Sequence, residues 1–150
     1  MNTKMNTKMN TEYFQDLLNE IVLKPNGIDG ISVFDPENAL SLYHNTQYDK
    51  ERHGNEILDN HDGIAGSLNG SHQMAETLKV FGENSKRGDL KYGVFQLSDG
   101  ILVLYFLRIH NKPVVVAFLS GTPQGLGLML NHSNANIEKI ESALNQLLAF

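Results

Sequence analysis

The sequence contains no cysteine, which rules out a disulfide framework and thiolate chemistry. It has no basic tract either. Its 12 Lys and Arg stand against 17 Asp and Glu, a formal charge of -5, and this makes nucleic acid and anionic membrane poor partners. No apolar run approaches the roughly 20 residues of a membrane span, and the N-terminus lacks the apolar core of a signal peptide. The expectation is a cytoplasmic protein with no membrane insertion. No lysine follows a glycine-rich loop, so a P-loop is excluded; Ser120-Gly121-Thr122 at a strand-to-helix junction reads as helix capping rather than phosphate binding.

What is present fits one domain with a sizeable core: 150 residues, 41% apolar and 19% charged. Met-Asn-Thr-Lys occurs twice, from Met1 to Lys8, and Met9-Asn10-Thr11-Glu12 follows. Residues 1–10 are therefore expected to be a disordered polar leader, and residues 11–150 a single domain. From Thr11 onward Phe14, Leu17, Leu18, Ile21 and Val22 recur at helical spacing, with Thr11 as the expected cap and Pro25, Asn26 and Gly27 as the stop.

Strands follow. Ile31 to Asp35 and Leu40 to His44 alternate apolar and polar residues around a Pro36-Glu37-Asn38 turn, the pattern of a half-buried hairpin. Asn45 to Gly63 is polar and long for a connection in a compact domain. A second helix is expected from about Ile64 to Phe81, with a partly small seam of Ile64, Leu68, Ser71, Ala75 and Leu78, and with Gly70 lowering its propensity by about 1 kcal/mol.

Leu90 to Leu119 then reads as three consecutive strands. Asp99-Gly100 between two β-prone runs predicts a type I′ hairpin, and His110 to Pro113 marks the second break. Ile101 to Leu107 shows no alternation, which in an antiparallel sheet predicts apolar cover on both faces and hence a helix on each. Thr122 and Pro123 predict the start of a third helix running to about Leu148, with Leu126, Leu130, Ile137, Ile140, Leu144 and Leu147 in its seam and Ser133 as the polar member. The order is α-β-β-α-β-β-β-α, an α+β sandwich.

Particular residues sharpen this. Gly30-Ile31-Ser32-Val33-Phe34-Asp35, the helix from Ile64 to Gly82, Leu97-Ser98-Asp99-Gly100-Ile101-Leu102-Val103-Leu104-Tyr105 and Gly125-Leu126-Gly127-Leu128 together resemble the roadblock / dynein light chain family, over roughly Thr11 to Leu148. Two departures stand out: Pro36-Glu37-Asn38-Ala39 replaces an Asp-Gly-like pair in the first hairpin, and the 45–63 loop is long. The resemblance implies a profilin-like fold, a five-stranded antiparallel sheet with the first and third helices on one face and the second on the other. It also implies a homodimer, or a heterodimer with a paralogue, joined through the third strand (Tyr92, Val94, Gln96) and the second helix (Ser71, Met74, Ala75, Leu78). These helix residues equally suit the plain task of covering the sheet.

Candidate chemistry is sparse. His53, Asp59, His61 and Asp62 lie close together, but their spacing matches no ligand motif and a hydrophilic loop has the same composition. His44, His72, His110 and His132 are scattered. Asn69-Gly70-Ser71 and Asn131-His132-Ser133 match the glycosylation sequon but fall on expected helices. The expectation is no catalytic residue, no metal and no cofactor. The resemblance implies a non-enzymatic scaffold or regulator bound to a small Ras-like GTPase, acting by repositioning the GTPase's own groups, because Arg52, Arg87 and Arg108 have no motif context. The alternative from another class is a small-molecule sensor of profilin- or PAS-like architecture with a pocket between sheet and helix; the bulky Phe95, Leu102, Leu104, Phe106 and Phe118 speak against it. A metal-dependent hydrolase built on His53 to Asp62 ranks last.

Overall fold

The computed structural model describes residues 10–45, 69–120 and 125–148. Three helices, α1 (Thr11–Ile21), α2 (Asn69–Asn84) and α3 (Leu126–Leu147), accompany five strands: β1 (Gly30–Asp35), β2 (Leu40–Asn45), β3 (Tyr92–Leu97), β4 (Gly100–Ile109) and β5 (Lys112–Ser120). The strands form one antiparallel sheet in the order β2-β1-β5-β4-β3. The leader and the 45–63 loop lie, apart from Asn10 and Asn45, outside the described residues, as do Ile64, Leu68, Thr122 and Pro123.

α1 forms where its apolar spacing requires it. Phe14, Leu18 and Ile21 are buried along one stripe, each burial worth about 1.5–3 kcal/mol. Its cap is Asn10 rather than Thr11: Asn10 Oδ1 accepts the Tyr13 N–H at 2.8 Å, satisfying one of the donors that a helix start leaves open. After Ile21 the chain tightens into a 3₁₀ turn at Lys24–Asn26 and reverses through Gly27 at φ 73°.

The first hairpin closes without an Asp-Gly pair. Asp35 Oδ1 accepts the N–H groups of Glu37 and Asn38 at 3.1 Å each, and its Oδ2 accepts from Asn38 Nδ2 at 2.8 Å. The Asp35 side chain thus holds the turn that a positive-φ glycine would otherwise make, with Ala39 at φ 54° completing it. β1 is not half-buried, as its alternation suggested. All six of its residues are buried, because it lies between β2 and β5 with a helix layer over it.

The β3–β4 hairpin is shifted from the expected position. Leu97 pairs with Gly100, so the two-residue loop is Ser98-Asp99, and neither residue has positive φ. The positive-φ pair of a type I′ turn occurs instead at His110 (52°) and Asn111 (66°), between Ile109 and Lys112.

Two cores result. On one face Ile101, Val103 and Tyr105 of β4 join Val114, Val116 and Phe118 of β5, Ile31 and Val33 of β1, and the buried sides of α1 and α3. On the other, Leu104, Val115, Ala117 and Phe34 form a smaller cluster with Phe95, Leu102 and Phe106 half-buried around it. Apolar packing on both faces of β4 is therefore present, but unequal. α3 starts after Gly125, later than Thr122, with no side-chain cap, and buries Met129 and Ala143 in addition to Ser133, Ile140 and Leu144 of the expected seam.

Candidate partner-binding surface

The β3 strand is an edge of the sheet. The Phe106 N–H donates to the Lys91 carbonyl at 3.3 Å, which fixes the alternation of the antiparallel ladder. Gly93, Phe95 and Leu97 face their β4 partners as hydrogen-bonded pairs, and Tyr92, Val94 and Gln96 turn their N–H and C=O groups away from the sheet. Backbone geometry thus gives these three residues the outward-facing groups of an open edge, a ready template for another strand.

Their side chains point elsewhere. Tyr92, Val94 and Gln96 pair with Tyr105, Val103 and Ile101, and so stand on the α1/α3 face of the sheet. Tyr92 is partly buried there, its ring 5.1 Å from that of Tyr105. Met74, Ala75 and Leu78 belong to α2 on the opposite face. The seven expected contact residues therefore do not share one face. Ser71 lies in α2 by its backbone.

α2 covers its face of the sheet thinly. Ala75 is buried, at 8% exposure, because a small side chain lets the helix approach the sheet. Met74, Leu78 and Phe81, at i, i+4 and i+7, form a stripe that stays 39%, 41% and 67% exposed. Phe81 was missed in the sequence although its helical spacing from Leu78 pointed to it. On the same face of β3, Phe95 is half-buried against Leu102 and Leu104, and Leu97 is exposed.

An open cleft of about 240 Å³ separates α2 from the β4–β5 strands, floored by Ala75, Phe106 and Val115 and rimmed by Glu76, Lys79 and Arg108. Ligand pockets typically reach about 300–1,000 Å³, so this one is small for a sensor. At its rim Arg108 Nη2 meets Glu76 Oε1 at 3.4 Å; both groups are half exposed, and such pairs contribute about 0–1 kcal/mol. His53, Asp59, His61 and Asp62, weighed above as metal ligands and set aside, fall outside the described residues, and among the described residues no group of three or more His, Asp or Glu is placed to hold a metal. No described helix is long and apolar enough to cross a membrane.

No protein-family model matches the chain, and no curated sequence matches it. Solved structures do. The chain is similar to Myxococcus xanthus MglB, with 12% identity, a TM-score of 0.61 and coverage of 91% of this chain and 95% of that one. It is similar to an MglB with tetrameric arrangement, with 13% identity, a TM-score of 0.60 and 88% of each chain covered. It is also similar to a roadblock/LC7 domain from Streptomyces avermitilis, with 15% identity, a TM-score of 0.50 and coverage of 83% and 94%. The helix and strand order, the sheet order and these likenesses agree: the chain has the fold of a roadblock/LC7-type domain.

Proposed function

We propose that this protein is a non-enzymatic, dimeric roadblock-type regulator whose partner is a small Ras-like GTPase. The observation that carries the dimer is the coincidence of an open edge strand and an exposed apolar helix stripe. Among the described residues no strand pairs with the outward backbone groups of Tyr92, Val94 and Gln96 on β3, and α2 exposes Met74, Leu78 and Phe81. A second copy covers both, extending the sheet and burying the stripe across a two-fold axis. One structural neighbour is described as an MglB with tetrameric arrangement, which supports an assembling role for this fold.

The GTPase reading rests on the family resemblance, and the likeness to MglB supports the fold on which that resemblance depends. If the module accelerates hydrolysis, it does so by repositioning the GTPase's own groups. Of its described arginines, Arg108 is engaged by Glu76 and the Asn111 carbonyl, and Arg87 by the Ser85 carbonyl. The test mixes the purified protein with a candidate small GTPase and measures co-elution and GTP turnover. Co-elution, with turnover that changes and is unaffected by Arg108→Ala, supports the reading; neither co-elution nor altered turnover refutes it.

A further inference from the structure

α2 carries two different flanks. At about 100° per residue, Met74, Leu78 and Phe81 fall on one side of Ala75, the residue of this helix that is buried, and Glu76 and Lys79 fall on the other. The first flank is the exposed apolar stripe. The second overhangs the cleft whose floor is Ala75, Phe106 and Val115. A second copy seated on the stripe would therefore lie on the flank of α2 away from the cleft.

The surroundings of the cleft run against the charge of the chain. From Glu76 to Lys91, with Arg108 of β4 beside them, Lys79, Lys86, Arg87, Lys91 and Arg108 stand against Glu76, Glu83 and Asp89, whereas the whole chain carries -5. Glu76 is engaged by Arg108 at 3.4 Å, which leaves Asp89 as the other acid of the rim. Lys79 lines the cleft and, among the described residues, has no ion pair or hydrogen bond of its own. Lys91 stands on the same side of the sheet: its carbonyl accepts from the Phe106 N–H, and the period of two along the strand sets its side chain opposite to that of Tyr92, hence on the face of Phe106.

We infer that this cleft is a docking site for an acidic linear segment of a partner protein, which lays one apolar side chain on Ala75, Phe106 and Val115 and sets carboxylates against Lys79 and Lys91. The size fits that occupant. At about 240 Å³ the cleft falls below the roughly 300–1,000 Å³ of sites that enclose a whole small molecule, while an open apolar floor with a charged rim is what a single anchor residue of an extended peptide needs. The charge fits it as well. A locally basic rim on an acidic protein attracts acidic segments and turns basic ones away, and it does so less as salt rises. This partner is separate from the GTPase of the reading above, and the inference does not require the chain to pair with itself.

The test titrates short labelled peptides onto the full chain and reads fluorescence anisotropy. Their flanks are Asp and Glu, or Lys, and their central residue is Leu, Phe or Ala. The acidic peptides centred on Leu or Phe are expected to bind at least tenfold more tightly than the acidic Ala-centred one and than any Lys-flanked one. Lys79→Glu is expected to weaken that binding at least tenfold. Lys139→Glu makes the same charge change at an exposed position of α3 and is expected to leave it unaltered. Phe81→Glu, which alters the stripe and not the cleft, should bind as the unmodified chain does, so a chain that proves monomeric sinks the dimer and leaves the docking site standing. Equal binding of Leu- and Ala-centred peptides, equal loss in both lysine variants, or no binding by any peptide overturns the docking site.

Discussion

The Tyr105 hydroxyl meets the Ser133 hydroxyl at 3.2 Å inside the core between β4 and α3. Tyr105 also donates to Asn134 Oδ1, and Ser133 Oγ lies 3.2 Å from the Leu130 carbonyl. This polar cluster explains why a serine stands in the otherwise apolar seam of α3: Tyr105 and Ser133 are 4% and 0% exposed, and buried hydroxyls need partners. Tyr105→Phe removes the shared hydroxyl and is expected to destabilise the protein by about 1 kcal/mol in urea unfolding.

The same group sets an alkaline limit. Burial raises the Tyr105 pKa above its ordinary 10.0; the Ser133 hydrogen bond lowers it by less, and the nearby Tyr92 adds the smallest contribution, a rise. The unfolded chain therefore loses its proton first. The contribution is fully present below pH 10 and is lost as pH rises from there through the folded value. Stability measured across this window falls more steeply for the unmodified protein than for Tyr105→Phe.

An acid limit is expected at His44 on β2, where burial lowers the pKa below 6.5. Here the unfolded chain takes up its proton first. The contribution is present above pH 6.5 and is lost as pH falls through the folded value. His44→Gln should flatten the acid side of the stability profile, measured by denaturant unfolding between neutral and mildly acidic pH.

Two glycines of α2 should respond in opposite directions. At Gly82 the chain wraps back, Gly88 and Arg87 both donating their N–H groups to the Gly82 carbonyl, and a Cβ there would lie 1.9 Å from the Gly88 carbonyl oxygen. Gly82→Ala must therefore push backbone apart, and a cost of about 1–3 kcal/mol is expected. Gly70 has nothing within 4 Å of such a Cβ, so Gly70→Ala is expected to stabilise by up to about 1 kcal/mol through helix propensity. Thermal unfolding of the two variants checks both signs.

The sequence made most of the layering legible. The unbroken apolar run from Ile101 to Leu107 announced helices on both faces, because no half-exposed strand of an antiparallel sheet needs apolar residues at every position. Turn details were less legible. Asp99-Gly100 carries the stronger type I′ signal, yet the positive-φ pair is His110-Asn111, since the strand register and not the dipeptide alone decides which residues close a hairpin. At the candidate surface the resemblance marks Tyr92, Val94 and Gln96 as one set; the register with β4 turns their backbone groups outward together, while their side chains stand on the face opposite α2, a distinction that only the pairing reveals. Phe81 was overlooked as a surface residue because an aromatic at helical spacing reads as core.

The α2 stripe separates dimerisation from folding. Leu78 and Phe81 are exposed in the single chain, so Leu78→Glu or Phe81→Glu should leave its secondary structure and melting of the monomer unchanged. Either change is expected to weaken self-association at least tenfold, about 1.4 kcal/mol, as read by sedimentation at several concentrations. Val94→Pro acts on the other element: its N–H points away from β4, so the sheet keeps its ladder while the edge loses a donor at its centre.

The mass of the protein in solution tests the account most directly. Light scattering on the size-exclusion peak should give twice the chain mass of 16.7 kDa, falling to the single-chain value for Phe81→Glu and Val94→Pro. A peak that stays at the single-chain mass at high concentration would contradict it.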